Sequence, residues 1–243
     1  MLHEFRDEIM TARFSIRFDA PESEAVRLRS VAEEVFGEIH RLESLLSRFI
    51  EDSDVSQINR LAPGEAAIIS PETFRCLELA EEAARLTEGH FDVAYLSPVA
   101  DRHKRPFSLL KGPHRVRSET ASLHIDLGGI GKGFALDHVL PIPLHYGYSR
   151  VLFSADSSTM LALDPPANTQ GWKVAVELDG KEQRVHLNNN SISCSGTLLK
   201  GEHIFNVQRR IWMAETERCY VFNRSAALAD ALSTAALTMK AGG

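Results

Sequence analysis

Residues 125–137, Ile-Asp-Leu-Gly-Gly-Ile-Gly-Lys-Gly-Phe-Ala-Leu-Asp, hold four glycines, one lysine and two aspartates in thirteen positions. Leu123, Ile125 and Leu127 alternate like a short apolar strand running into Gly128 and Gly129, and a helix is predicted to begin near Lys132. Glycines at such a place let the backbone approach a ligand, and a helix start offers free N–H groups with partial positive charge. That is chemistry for phosphate. The spacing is not that of the P-loop, which needs Ser or Thr after Gly-Lys, nor that of the dinucleotide G-x-G-x-x-G turn. Taken alone, the stretch fits a phosphate cradle or a plain strand-to-helix turn. A second pair, Asp230 and Thr234, lies four residues apart, so on a helix both side chains leave from one face. A carboxylate and a hydroxyl are hard oxygen donors suited to Mg²⁺. The same pair is also commonplace on helices that bind nothing.

These residues need elements to hold them. Phe14, Ile16 and Phe18 alternate with Arg13, Ser15 and Arg17, which predicts a strand over 10–18. Pro21-Glu22-Ser23 opens a long amphipathic helix with the apolar stripe Val31, Val35, Ile39, Leu42, Leu46 and Phe49. Asp52-Ser53 offers an N-cap to a short helix carrying Ile58 and Asn59. Ser70-Pro71-Glu72 starts a helix expected to reach Leu86 and stop at Gly89. Residues 98–120 read as a surface excursion, and Pro141 and Pro143 end the helix after the glycine turn. Strands are predicted over 149–155, 158–163, 171–178, 182–187, 191–195, 203–207 and 217–223, with a last helix over about 225–240. Helices first and strands later indicate an α+β fold.

Composition sets bounds. The 243 residues are 44% hydrophobic and 25% charged, ordinary values for a globular chain with a sizeable core. Net charge is −6 with no basic run, which argues against nucleic acid. No apolar run reaches membrane-spanning length, and the first residues contain no apolar leader core. The expectation is a cytoplasmic protein, or an exported one whose leader has been removed. Cys76, Cys194 and Cys219 have no zinc spacing and read as buried thiols.

Five ordered blocks carry a family resemblance. They are Leu46-Ser47-Arg48-Phe49 with Asp52–Asn59, Thr87–Asp92, the 125–137 turn, Ser195-Gly196 with His203-Ile204, and Ala229–Ala235. Together they resemble the FAD:protein FMN transferases, the ApbE-like flavin transferases, over roughly residues 10–238. The resemblance implies one ApbE-like domain over 1–243, with early helices packed on an antiparallel sheet formed largely by the second half. It implies Mg²⁺ on Asp230, Thr234 and the Gly131 carbonyl, where Gly replaces the family's Ala. It implies FAD as substrate and a target protein whose Thr or Ser hydroxyl accepts FMN. His203 would be the general base, an imidazole near pKa 6.5 being suited to that task.

Phe49, Asn59, Asp92, Gly129, Lys132 and Asp137 would line the nucleotide on the same resemblance. Each has a plainer reading. Phe49 can continue the buried stripe, Asn59 can cap a helix, Asp92 can sit in a turn, and Lys132 and Asp137 can be solvated charges. Departures from the family lie at 10–12, 154–158 and 206–210. Ser154-Ala155-Asp156-Ser157-Ser158 stands where the family has N-A-G-G-D, and Asn206 to Arg210 where it has D-P-R-T-G. Splitting of FAD into FMN and AMP, or flavin binding without catalysis, are the alternatives.

Overall fold

The computed structural model describes residues 1–98, 104–156, 158–178, 180–196, 205–213 and 218–240. Its centre is a six-stranded, fully antiparallel sheet. In spatial order the strands are β1 (Leu2–Ile9), β2 (Ala12–Asp19), β6 (Val151–Ala155), β7 (Thr159–Ala162), β10 (Asn190–Gly196) and β13 (Arg218–Asn223). Four of the six come from the second half of the chain, as expected. The α+β expectation holds.

One face of the sheet is apolar because β2 presents Phe14, Ile16 and Phe18 to it, all fully buried. Against that face pack α1 (Ala25–Leu46), α4 (Gly131–Val139) and α6 (Ala226–Lys240), with α3 (Pro71–Leu86) outside them. A short 3₁₀ turn, Glu22–Glu24, leads into α1, and α2 (Asp54–Asn59) follows it. Ser53 Oγ caps α2 by accepting from Ser56 N at 3.0 Å, and Ser70 Oγ caps α3 by accepting from Thr73 N at 3.2 Å. The other sheet face carries a hairpin, β8 (Trp172–Leu178) and β9 (Lys181–Leu187). Trp172, Val174, Val176 and Leu187 of that hairpin pack on Leu152, Ala162 and Ile192.

Several expectations need correction. The N-terminal strand is half of a hairpin, since β1 precedes it. The 98–120 excursion contains β4 (Phe107–Leu110) and β5 (Arg115–Ser118), which pair with each other, and β5 also pairs with β3 (Ala66–Ile68). Among the described residues, the segment 123–127 pairs with no strand. Scattered partners satisfy it instead: Asn59 Oδ1 accepts from Ile125 N at 2.6 Å, Asn59 Nδ2 donates to Ile125 O at 3.0 Å, Ser97 Oγ accepts from His124 N at 2.8 Å, and Asp126 N donates to the Val93 carbonyl at 2.8 Å. Pro141 does not merely end a helix; it opens α5 (Pro141–His145), where a missing N–H costs nothing. The α1 stripe stops at Leu46, because Ser47 turns extended, so Phe49 leaves the core and is 80% exposed. Of the cysteines only Cys76 is buried; Cys194 and Cys219 are half-buried. Of the strand expected at 203–207, residues 203 and 204 lie outside the described residues, and the described part holds β11 (Phe205–Asn206), paired with β12 (Ile211–Trp212).

Candidate functional site

The glycine turn, α6 and the ends of β6, β7 and β10 enclose one side of a cleft of about 1550 Å³. That exceeds the roughly 300–1,000 Å³ usual for a small-ligand site. Gly128, Gly129, Gly131, Lys132, Asp230 and Thr234 all line it.

Local packing explains how residues nearly a hundred positions apart meet there. α4 begins at Gly131 with no side-chain cap of its own. Asp230 of α6 supplies one: its Oδ2 accepts from Gly133 N at 3.1 Å. In return, Asp137 of α4 accepts from Ala226 N at 2.8 Å and Ala227 N at 3.0 Å, the first two amides of α6, and from Ser225 Oγ at 2.7 Å. Each helix thus caps the start of the other with an aspartate, satisfying donors that have no intrahelical partner. Burial raises the pKa of Asp137, and these three donors counteract the rise. Gly133 makes the crossing possible. A Cβ there would lie 2.1 Å from the Ala226 carbonyl oxygen.

Asp230 is 4% exposed. Besides Gly133 N, it accepts from Thr159 Oγ1 at 3.3 Å and Ser193 Oγ at 3.2 Å through Oδ1, and Lys132 Nζ lies 4.0 Å from Oδ2. Thr234 Oγ1 is 3.0 Å from Ser195 Oγ and also contacts the Asp230 carbonyl at 3.3 Å. The corner is therefore one buried carboxylate ringed by hydroxyls on a cleft wall. Such a hard-oxygen set fits Mg²⁺, which takes few protein ligands and completes its shell with water and phosphate oxygens. A methyl added at Gly131 would meet nothing within 4 Å, so alanine fits there without displacing a neighbour. Among the described residues, the one cluster of three His, Asp or Glu ligand atoms is Glu38, Glu72 and His138. It lies outside the cleft, and Arg41 bonds both glutamates, which opposes a cation there.

The other expected site residues divide. Phe49 lines the cleft, with the Arg48 guanidinium over its ring at 4.2 Å. Asp92 also lines it, though its carboxylate bonds Ala94 N at 2.9 Å and Arg105 Nη1 at 3.2 Å. Gly129 sits against Phe91 and Thr234, 3.1 and 3.6 Å from where a Cβ would stand. Lys132 bonds the Gly128 carbonyl at 3.3 Å. Asn59 and Asp137 do not line the cleft; their polar atoms hold the extended segment before the glycine turn and the start of α6. His203 lies outside the described residues, as does Ser157.

The divergent blocks prove structurally occupied. Asp156, at φ 52°, turns its Oδ1 to Arg13 N at 2.8 Å, closing the end of the β2–β6 pairing. Asn206 is buried, donates to the Thr238 carbonyl at 3.1 Å and accepts from Arg209 N at 2.9 Å, pinning the β11–β12 hairpin to α6. Sequence reasoning missed Asp126. Its Oδ1 caps Gly128 N at 2.9 Å, while Oδ2 meets Arg48 Nε at 3.2 Å and Tyr95 Oη at 3.1 Å. An Asp two residues before a glycine is a recognisable turn signal.

Comparison with known proteins agrees with this architecture. The fold superposes on the flavinyl transferase ApbE of Pseudomonas stutzeri with a TM-score of 0.80 at 19% identity, covering 98% of this chain and 84% of that one. The ApbE protein of Thermotoga maritima gives 0.82 at 22% identity, covering 98% and 87%. The flavin transferase ApbE of Vibrio cholerae gives 0.80 at 18%, with the same coverage of 98% and 87%. A FAD:protein FMN transferase of Buchnera aphidicola subsp. Schizaphis graminum is 22% identical over 196 residues. That match takes in 67% of this chain and 58% of the relative, so it spans little more than half of the relative's length. The ApbE family model matches residues 10–242, and the chain belongs to the ApbE family.

Proposed function

We propose that this chain, acting as one domain, transfers FMN from FAD to a Thr or Ser hydroxyl of another protein and releases AMP. The observation that carries the reading is the convergence of the Gly128–Gly131 turn, Lys132, Asp230 and Thr234 on one wall of a large cleft. Asp230, Thr234 and the Gly131 carbonyl would hold Mg²⁺. When bound, that ion supplies charge neutralisation at the pyrophosphate and at the departing AMP. Lys132 on the same cleft wall favours anionic phosphate oxygens, while the Gly131 and Gly133 amides at the start of α4 are already given to the Leu127 carbonyl and to Asp230. Phe49 offers an aromatic face to the nucleotide. His203 takes the proton of the acceptor hydroxyl. The freed oxygen bonds to the FMN phosphorus while the bond from that phosphorus to the AMP phosphate oxygen breaks, and AMP leaves with the electron pair.

The test is incubation with FAD, Mg²⁺ and a Thr-containing acceptor peptide, followed by mass analysis of peptide and nucleotides. Peptide heavier by FMN less one water, with equimolar AMP, is expected. Free FMN plus AMP would assign hydrolysis instead, and intact FAD would leave a binding protein.

A further inference from the structure

The cleft holds an aromatic cluster that no sequence block announces. Ring centroids of Tyr95 and Phe205 lie 5.2 Å apart, those of Phe205 and Trp212 5.3 Å, and those of Tyr95 and Trp212 6.3 Å. Trp212 meets both neighbours edge-to-face, at 72° and 89°. The cluster is tied to the phosphate side of the cleft. Tyr95 donates to Asp126, the aspartate that caps the glycine turn. Burial and the Asp126 charge push the Tyr95 pKa up to about 12, so it stays a donor. The hairpin bearing Phe205 and Trp212 is fixed in turn by Asn206 on α6.

Trp212 nevertheless remains 45% exposed on the cleft wall. A large aromatic packed on two other rings, with apolar surface open to a concave site, is a poor arrangement unless something flat covers it. We propose that Trp212 is a stacking platform for a planar heterocycle of the nucleotide, and so a specificity-determining residue. The proposal rests on the nucleotide reading above. Isoalloxazine and adenine share the required chemistry, an extended π face. Trp212, Tyr95, Asp126 and Gly128 all line this one cleft, so a ligand lying along it meets both the ring platform and the glycine turn.

The parent, Trp212→Ala and Trp212→Phe are titrated by calorimetry, with Mg²⁺ present, against FAD, FMN, AMP and inorganic pyrophosphate. Loss of one base–aromatic stack should weaken FAD by about five- to 150-fold in Trp212→Ala. Trp212→Phe should recover most of that, and pyrophosphate should bind all three proteins alike. A matching loss for FMN assigns the isoalloxazine ring; a matching loss for AMP assigns adenine. The chain has two tryptophans, and Trp172 is 3% exposed, so its emission reports folding in both variants. Equal FAD affinity of parent and Trp212→Ala overturns the platform alone. So does a parallel loss of pyrophosphate, which would make Trp212 a mere support of the hairpin. A parent that binds none of the four overturns the nucleotide reading and the platform with it.

Discussion

Replacing Gly133 by alanine should damage this protein far more than replacing Gly131, two residues away in the same helix. The added methyl at 133 would lie 2.1 Å from the Ala226 carbonyl oxygen, 2.5 Å from its carbon and 2.8 Å from Ala227 N. The closest of these is roughly 1.4 Å short of a relaxed contact near 3.5 Å. All three atoms are backbone, so no rotamer change can make room, and α4 must part from α6. Parting strains the Gly133–Asp230 bond and the two amide bonds to Asp137. Overpacking costs about 1–3 kcal/mol, and a buried polar group left unmade costs about 1–3 more. A loss near 4 kcal/mol corresponds to a fall of about 8–16 °C in melting temperature for a chain of this size. At Gly131 a methyl meets nothing within 4 Å, and alanine is the better helix former by up to about 1 kcal/mol. Gly131→Ala should therefore melt at the parent temperature or slightly above it, and keep its FAD affinity because its carbonyl is unchanged. Thermal denaturation followed by circular dichroism, with FAD titration of both variants, decides the matter. A Gly133→Ala protein melting within about 2 °C of the parent, or a Gly131→Ala protein falling as far as Gly133→Ala, would refute the close-crossing argument.

Asp230→Asn retains an acceptor for Gly133 N but loses the charge, so Mg²⁺-dependent enhancement of FAD binding should vanish with only a small change in melting; calorimetry with and without Mg²⁺ reads this. His203→Ala should reduce transfer by about 10²-fold or more while leaving FAD affinity nearly unchanged, as seen in single-turnover rates set beside binding curves. Asn59→Ala removes both side-chain bonds to Ile125 and should cost about 1–3 kcal/mol, with faster hydrogen exchange at the Ile125 amide. The Glu38 carboxyl is held below its usual 4.5, first by Arg41 and then by His138. A depressed folded pKa gives stability that is present above the unfolded value and is lost as pH falls through the folded one. Denaturant titrations across that acid window should show a shallower loss of stability for Glu38→Gln than for the parent.

The sequence was most informative where a residue's job is local. Ser53 and Ser70 cap helices and Pro71 opens one, as their types require, and the alternation of Phe14, Ile16 and Phe18 reports a half-buried strand. It was misleading where periodicity outran its partner. Leu123, Ile125 and Leu127 alternate like a strand, yet they join no sheet, and the backbone of 124–126 is met by the side chains of Asn59 and Ser97 and by the Val93 carbonyl. Phe49 keeps the α1 spacing three residues beyond the helix end, and periodicity carries no mark of where Ser47 turns. β1 leaves little trace in the sequence because its free edge leaves residues of both faces partly exposed, which blurs the apolar signal. β4 and β5 were hidden by their brevity and by the prolines around them. The Asp230–Thr234 corner was legible as a pair of residues on one helix, but its buried ring of Thr159 and Ser193 was not. Those hydroxyls come from two strands, 71 and 37 residues from Asp230 in sequence. The aromatic cluster joins Tyr95 to residues more than a hundred positions later, and nothing in either segment signals the other.

The bond from Gly133 to Asp230 has a use beyond holding two helices together. That amide proton belongs to one residue, is shielded from solvent, and points at the carboxylate oxygen nearest Lys132. Its nuclear magnetic resonance is therefore a built-in gauge of the charge on Asp230. A cation drawing density from that oxygen should loosen the proton and move its line upfield, while protonation of a distant carboxylate should leave it still. Titrating a ¹⁵N-labelled sample and watching this one cross-peak would count ions at the corner directly, with no flavin, acceptor or turnover in the tube.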